Sequence, residues 1–151
     1  MDAAYAAYLD QVRAHRAELG EAMAALEAAL ALPMGLGVTW RRRVRAALTE
    51  LAHDLRDHVG LTEAEGALYT DIRVSAPRLT HGVELQLKDH VELLAEVERL
   101  LAERDEGMHD PDDLAGHREA ATRLLDRLVR HRQRGSDLIY EAYAVDIGGS
   151  G

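Results

Sequence analysis

The sequence predicts an all-α fold, specifically an up-down-up-down four-helix bundle, on three observations. Apolar residues recur at three- and four-residue spacing through four long segments, helix breakers fall between those segments, and the composition is that of a helical chain. The 151 residues are rich in Ala, Leu, Glu and Arg, with no Phe, three prolines and few β-branched runs. That length suits a single domain over 1–151 with one sizeable core.

The first helix is expected over roughly 2–32, capped by Asp2 and stopped by Pro33 and the glycines of PMGLG. Its stripe reads Tyr8, Val12, His15, Leu19, Ala22/Met23, Leu26 and Leu30. The second is expected over roughly 39–60, with Val44, Leu48, Leu51, Leu55 and His58 on one face, and with a short extension to about 72. Gly60 weakens it there, and Thr62-Glu63-Ala64-Glu65 has the form of a capping box for a fresh short helix, so Glu63 falls either on a continuing helix or just after a break. The third, roughly 76–105, carries Pro77 in its first turn and the stripe Val83, Leu87, His90, Leu94, Val97, Leu101 up to Asp105-Glu106-Gly107. The fourth, roughly 111–147, opens with Asp110 as cap, Pro111 at the first helical position and Asp112 and Asp113 facing the helix dipole. Its stripe is Ala121, Leu124, Leu128, His131, Gly135, Leu138 and Ala142, and the Gly-Gly-Ser-Gly end reads as a frayed tail.

Composition also excludes functions. With a formal charge of −9, a general nucleic-acid or anionic-membrane role is disfavoured. The absence of cysteine rules out disulfides, thiolate metal sites and a thiol nucleophile, and suits a cytoplasmic location. The N-terminus reads as neither signal peptide nor anchor, and no window approaches a charge-free apolar membrane span. Arg41, Arg42, Arg43 and Arg45 crowd the first turns of the second helix, where cations oppose the dipole. A solvated face pairing with acids of the first helix is the plain reading, and an anion or partner site the alternative.

One histidine in each helix stands where a leucine would be expected: His15, His58, His90 and His131. A buried imidazole needs a partner for each ring nitrogen, so each is either a hydrogen-bonded core residue or a ligand. Counted from connections near residues 35, 74 and 109, at roughly 1.5 Å rise per residue, their depths agree within about 3–5 Å. One layer of four imidazoles is costly if neutral and self-repelling if charged, and a transition-metal ion resolves both problems. His53 and His81 lie off the stripes. His117 shares the stripe of His131 but sits about 21 Å away along the axis, in another layer.

With these four histidines, and through the phrases AHRAEL, DHVGLTEAEGALY, KDHVELL and RHRQRGSDLIYEAY, the chain resembles the hemerythrin-like (HHE cation-binding) family over approximately Asp10 to Gly148. The resemblance implies a histidine from the first helix, His-x-x-x-Glu from the second, one or two histidines from the third, and His-x-x-x-Glu or His-x-x-x-x-Asp from the fourth. It implies a small non-haem iron protein that binds or senses O2, NO or peroxide. Two positions depart from the pattern. Thr62 stands four residues after His58, and Gly135 four residues after His131, where bridging carboxylates belong.

Three readings follow. Glu63 swings in, giving a metal set of His15, His58, Glu63, His90 and His131 around one iron or an asymmetric pair, with zinc, manganese or cobalt as chemical competitors. Alternatively, Thr62 and Gly135 open a cofactor or substrate pocket, with Tyr8, or Tyr69 and Tyr140, as phenol donors; a diatomic gas, a small-molecule substrate of an oxygen-activating oxidase or oxygenase, or a non-covalent haem would occupy it. Otherwise the bundle is a metal-free partner-binding module. Asp57, Asp89 and Asp137 are placed in sequence to orient imidazoles from behind.

Overall fold

Proline, glycine and the capping residues punctuate the chain much as anticipated. The computed structural model describes residues 3–103 and 110–145. Five α-helices cover most of them: α1 (Ala3–Leu30), α2 (Val38–Glu63), the short α3 (Leu68–Ser75), α4 (Thr80–Ala102) and α5 (Pro111–Ile139), which runs on as a π-helical turn over Tyr140–Val145. Short 3-10 turns, Met34–Leu36 and Pro77–Leu79, lead into α2 and α4. No strand occurs among the described residues. Asp2, the segment Asp105-Glu106-Gly107 and the Gly-Gly-Ser-Gly end lie outside them.

Local chemistry sets several of these ends. Pro33 closes α1, and Gly37, at φ +58°, turns the chain into α2 as a residue without Cβ does at no steric cost. Asp110 caps α5 by accepting from the Asp112 amide at 2.9 Å, with Pro111 behind it as expected. The capping box at Thr62 does not form. Instead α2 continues through Gly60 to Glu63, and the Thr62 hydroxyl donates back to the His58 carbonyl at 2.8 Å. The break falls after Glu63, and Tyr8 holds the turn that follows: its hydroxyl donates to the Leu61 carbonyl at 2.6 Å and accepts from the Leu68 amide at 2.8 Å.

The basic run is a solvated face only in part: Arg42 and Arg43 are exposed, and Arg41 and Arg45 turn inward. Arg41 is buried and donates to the Glu103 carbonyl at 2.8 Å, while Arg45 reaches the Leu101 carbonyl at 3.0 Å. Both guanidiniums thus meet carbonyls that end α4 without an intrahelical donor, at the negative end of its dipole.

Helix α1 packs on α2, α2 on α4, α4 on α5, and α5 returns to α1. The apolar interior falls into two clusters. One joins Leu19, Leu26, Leu48, Leu55, Leu93, Leu124 and Leu128; the other joins Leu9, Val12, Leu68, Ile72, Val83 and Leu138. Between them, every long helix carries polar side chains: Arg16 on α1, His58 on α2, Gln86 and His90 on α4, His131 on α5. A polar layer therefore cuts the core. No helix is long and apolar enough to cross a membrane among the described residues.

Candidate metal centre

Helical spacing brings three of the four sequence-selected histidines together. His58 follows Leu55 on the buried face of α2, His90 precedes Leu93 on α4, and His131 follows Leu128 on α5. Ring centroids lie 5.1 Å apart for His58–His90, 5.7 Å for His58–His131 and 4.8 Å for His90–His131, in edge-to-face arrangements. Each ring offers one nitrogen to a set whose members all lie within 4.8 Å of one another.

On two of the rings a carboxylate marks which nitrogen that is. Glu63 Oε2 lies 2.7 Å from His90 Nδ1, and Asp89 Oδ2 lies 3.1 Å from His131 Nδ1 while also accepting from Arg134 at 3.0 Å. A carboxylate at Nδ1 holds the proton there and leaves Nε2 as a lone pair. Both Nε2 atoms, and both ring nitrogens of His58, are buried without a hydrogen-bond partner. Each such orphan costs about 1–3 kcal/mol. Four of them form a large fraction of the roughly 5–15 kcal/mol that holds a domain together. Burial, reinforced by the neighbouring imidazoles, lowers the His58 and His90 pKa values to about 3, so these rings are neutral at pH 7. Burial lowers His131 as well, against the opposing pull of Asp89.

His15 does not join them. Its side chain is 26% exposed and its Nδ1 faces Glu18 at 3.7 Å along the same helix. The α1 face turned inward carries Leu9, Val12, Leu19, Met23 and Leu26, and half-buried Arg16, not His15, lines the cavity beside His58 and His131. From Val12, steps of three and four residues stay equally close to the axis of the stripe, so His15 and Arg16 are equally eligible to face the site. Glu63, expected as a carboxylate ligand, is instead the partner of an imidazole: α2 runs straight through Gly60, so Glu63 ends the helix beside His90 Nδ1. Of Asp57, Asp89 and Asp137, only Asp89 lies against an imidazole of the cluster. Asp57 pairs with exposed His53 at 3.3 Å, and Asp137 accepts from Gln133 at 3.0 Å. His53, Asp54 and Asp57 form a second group with ligand spacing, on the exposed side of α2.

Thr62 and Gly135 line a cavity beside His58 and His131, together with Tyr69 and Gln86, as their positions one turn beyond the histidines require. Its volume is about 10 Å³, room for one water-sized group. The opening beside Gly135 is narrower than a missing side chain suggests, because the Gln86 amide fills it: a Cβ on Gly135 would stand 2.8 Å from Gln86 Nε2. Tyr8 is not at the cavity; it secures the turn after α2. The phenol at the site is that of Tyr69, buried, 5.7 Å from the His90 ring and against Thr62 and Gln86, with burial raising its pKa. Tyr140 is exposed.

Tyr69 is one of the phenols the sequence offers, whereas Gln86 is not singled out by it. Gln86 sits one turn before His90, inside the same heptad, and that spacing is its signal. His117, assigned to another layer, is buried there with its Nδ1 2.5 Å from Glu103 Oε2 and its ring edge-on to Trp40. Compared with family models, curated proteins and solved structures, the chain matches none of them.

Proposed function

We propose that the protein holds one divalent metal ion through a ring nitrogen of His58 and Nε2 of His90 and His131, and binds or senses a small ligand at the cavity beside it. The observation carrying this reading is the convergence of three buried imidazoles with partnerless nitrogens, two of them aimed by carboxylates at Nδ1. That is the arrangement by which proteins fix the tautomer and direction of metal-binding histidines. Iron is the ion proposed, in keeping with the hemerythrin-like resemblance, with O2, NO or peroxide as the ligand. Three neutral imidazoles also suit zinc or cobalt, so metal identity is part of the test. The ring of contacts from α1 through α2, α4 and α5 supports an up-down-up-down bundle as its frame.

The donor set favours one ion over two. Two cations within a few ångströms need bridging anionic oxygens. Thr62 and Gly135 occupy those places, and Glu63 is engaged with His90. When bound, the ion would supply a Lewis-acidic centre that, for iron, is also redox-active. The chain does the rest. Glu63 and Asp89 retain the Nδ1 protons; Tyr69 and Gln86 offer polar hydrogens at the cavity wall; Val12, Leu19 and Leu68 keep bulk water out. The cavity volume of about 10 Å³ suits a diatomic-sized guest better than an oxygenase substrate or a haem.

Metal analysis of tag-free protein loaded anaerobically with ferrous iron, and in parallel with zinc, tests this. About one ion per chain is expected in the wild type, with uptake lost in His58→Ala and His131→Ala and kept in His53→Ala and His117→Ala. Equal metal content in all five proteins would overturn the assignment.

A further inference from the structure

We propose that the open groove between α1 and α5, outside the histidine layer, binds an amphipathic monocarboxylate. Its carboxylate would sit on Arg132 at the Gly20 end, and its hydrocarbon chain along Met23, Ala24, Leu125 and Val129. The site needs no metal, so it stands or falls apart from the centre proposed above.

The groove holds about 500 Å³, within the range of small-molecule sites. Short side chains open it: Gly20, Ala24 and Ala31 of α1 line one wall, opposite Thr122, Leu125 and Val129 of α5. Val129 is 57% exposed, an apolar side chain with little covering it. Gly20 stands mid-α1, where glycine is a poor helix former. A Cβ there would come 3.0 Å from the Arg132 guanidinium, so the glycine lets that group lie against bare backbone at the groove.

Charge identifies the head group. Arg132 has no acidic partner among the described residues; it donates weakly to the Arg16 carbonyl at 3.4 Å, and its Nε is buried without a partner. Acids are not scarce, since the chain has 27 Asp and Glu against 18 Lys and Arg, and Arg127 and Arg134 nearby on α5 each hold one. Arg16 lies close enough that the Arg132 charge adds to burial in pulling the Arg16 pKa down. The Gly20 end is therefore a local excess of positive charge on an acidic protein. A carboxylate there would meet charged, planar N–H donors and supply the missing counter-charge.

Further along, the sign reverses. Asp126 and Glu27 line the groove about 9–10 Å along the helix axes from Arg132 and Gly20. A second anionic group at that distance would be repelled, so the site should prefer monocarboxylates to dicarboxylates. A second copy of the chain is a poor occupant for the same reason. Laid on this groove parallel or antiparallel, it would set Arg132 against Arg132 or against Arg118 at the far end.

Octanoate titrated into the full chain, with and without chelator and read by calorimetry, is the test. Saturable binding is expected, equal in both conditions, with octanedioate bound about fivefold or more weaker. Arg132→Gln should weaken octanoate binding about tenfold or more, the loss of a charge-assisted contact. Asp126→Asn should narrow the gap between the two acids. Should Arg132→Gln not fold, Val129→Asp at the exposed wall should weaken octanoate binding instead. No saturable octanoate binding to the wild type would overturn the proposal, as would equal affinity for the two acids or equal binding in wild type and Arg132→Gln. Binding that disappears with chelator would place the carboxylate on a metal and overturn it too. Loss of metal uptake in the wild type with arginine-dependent octanoate binding intact would remove the metal reading alone.

Discussion

Among single side chains, His58 is the most exacting case. Both its nitrogens are buried and partnerless, and its ring stands edge-on to two other imidazoles. Glu63 and Asp89 act one step further out, on Nδ1 of His90 and His131, so removing their charge should leave the ligands in place but loosely aimed. Glu63→Gln and Asp89→Asn are each expected to weaken metal affinity about 10–100-fold, measured by competition with a coloured chelator, while circular dichroism stays unchanged. Unaltered affinity in both would mean the carboxylates do not orient the site. His15→Ala is expected to bind metal as the wild type does, because His15 faces Glu18 and the solvent rather than the other three rings.

At the scale of elements, each helix delivers its polar residue to one layer, and α4 and α2 are locked together by arginine at the α4 end. Arg41 is buried and bonds the Glu103 carbonyl, so Arg41→Ala should cost about 2–3 kcal/mol in urea unfolding. Exposed Arg42→Ala should change stability by less than about 0.5 kcal/mol. Similar losses in the two would contradict the role given to Arg41. The four long helices and three of the histidines were legible in sequence because apolar spacing and helix breakers report them directly. The rest was hidden for stated reasons. A helical period between three and four residues leaves His15 and Arg16 equally eligible after Val12, and Gln86 and Leu87 equally eligible after Val83; only packing against the neighbouring helices chooses. Which tyrosine reaches the site was hidden likewise, since Tyr8 and Tyr69 both lie on buried faces and the turn after Glu63 sends only Tyr69 to His90.

For the molecule as a whole, a polar layer between two apolar clusters trades stability for a site. The metal-free protein should therefore be acid-sensitive. His58 and His90 fold with pKa values near 3 against 6.5 in the unfolded chain, so between those values the unfolded state binds more protons. Stability is then full above pH 6.5 and falls as pH drops from 6.5 toward about 3. Urea midpoints measured at pH 7.5, 5.5 and 4.5 should decline in that order; a flat profile would mean that the imidazoles are not buried neutral. A bound ion should raise the midpoint, the unfolding free energy gaining about 2.7 kcal/mol at a free concentration roughly a hundred times its Kd.

X-ray absorption at the metal edge of the loaded protein tests the three-imidazole centre most directly. The account predicts a single ion with three imidazole nitrogens at roughly 2.0–2.2 Å and no second metal in its scattering shell. Fewer than two imidazoles, or a metal neighbour at roughly 3.5–4 Å, would contradict it.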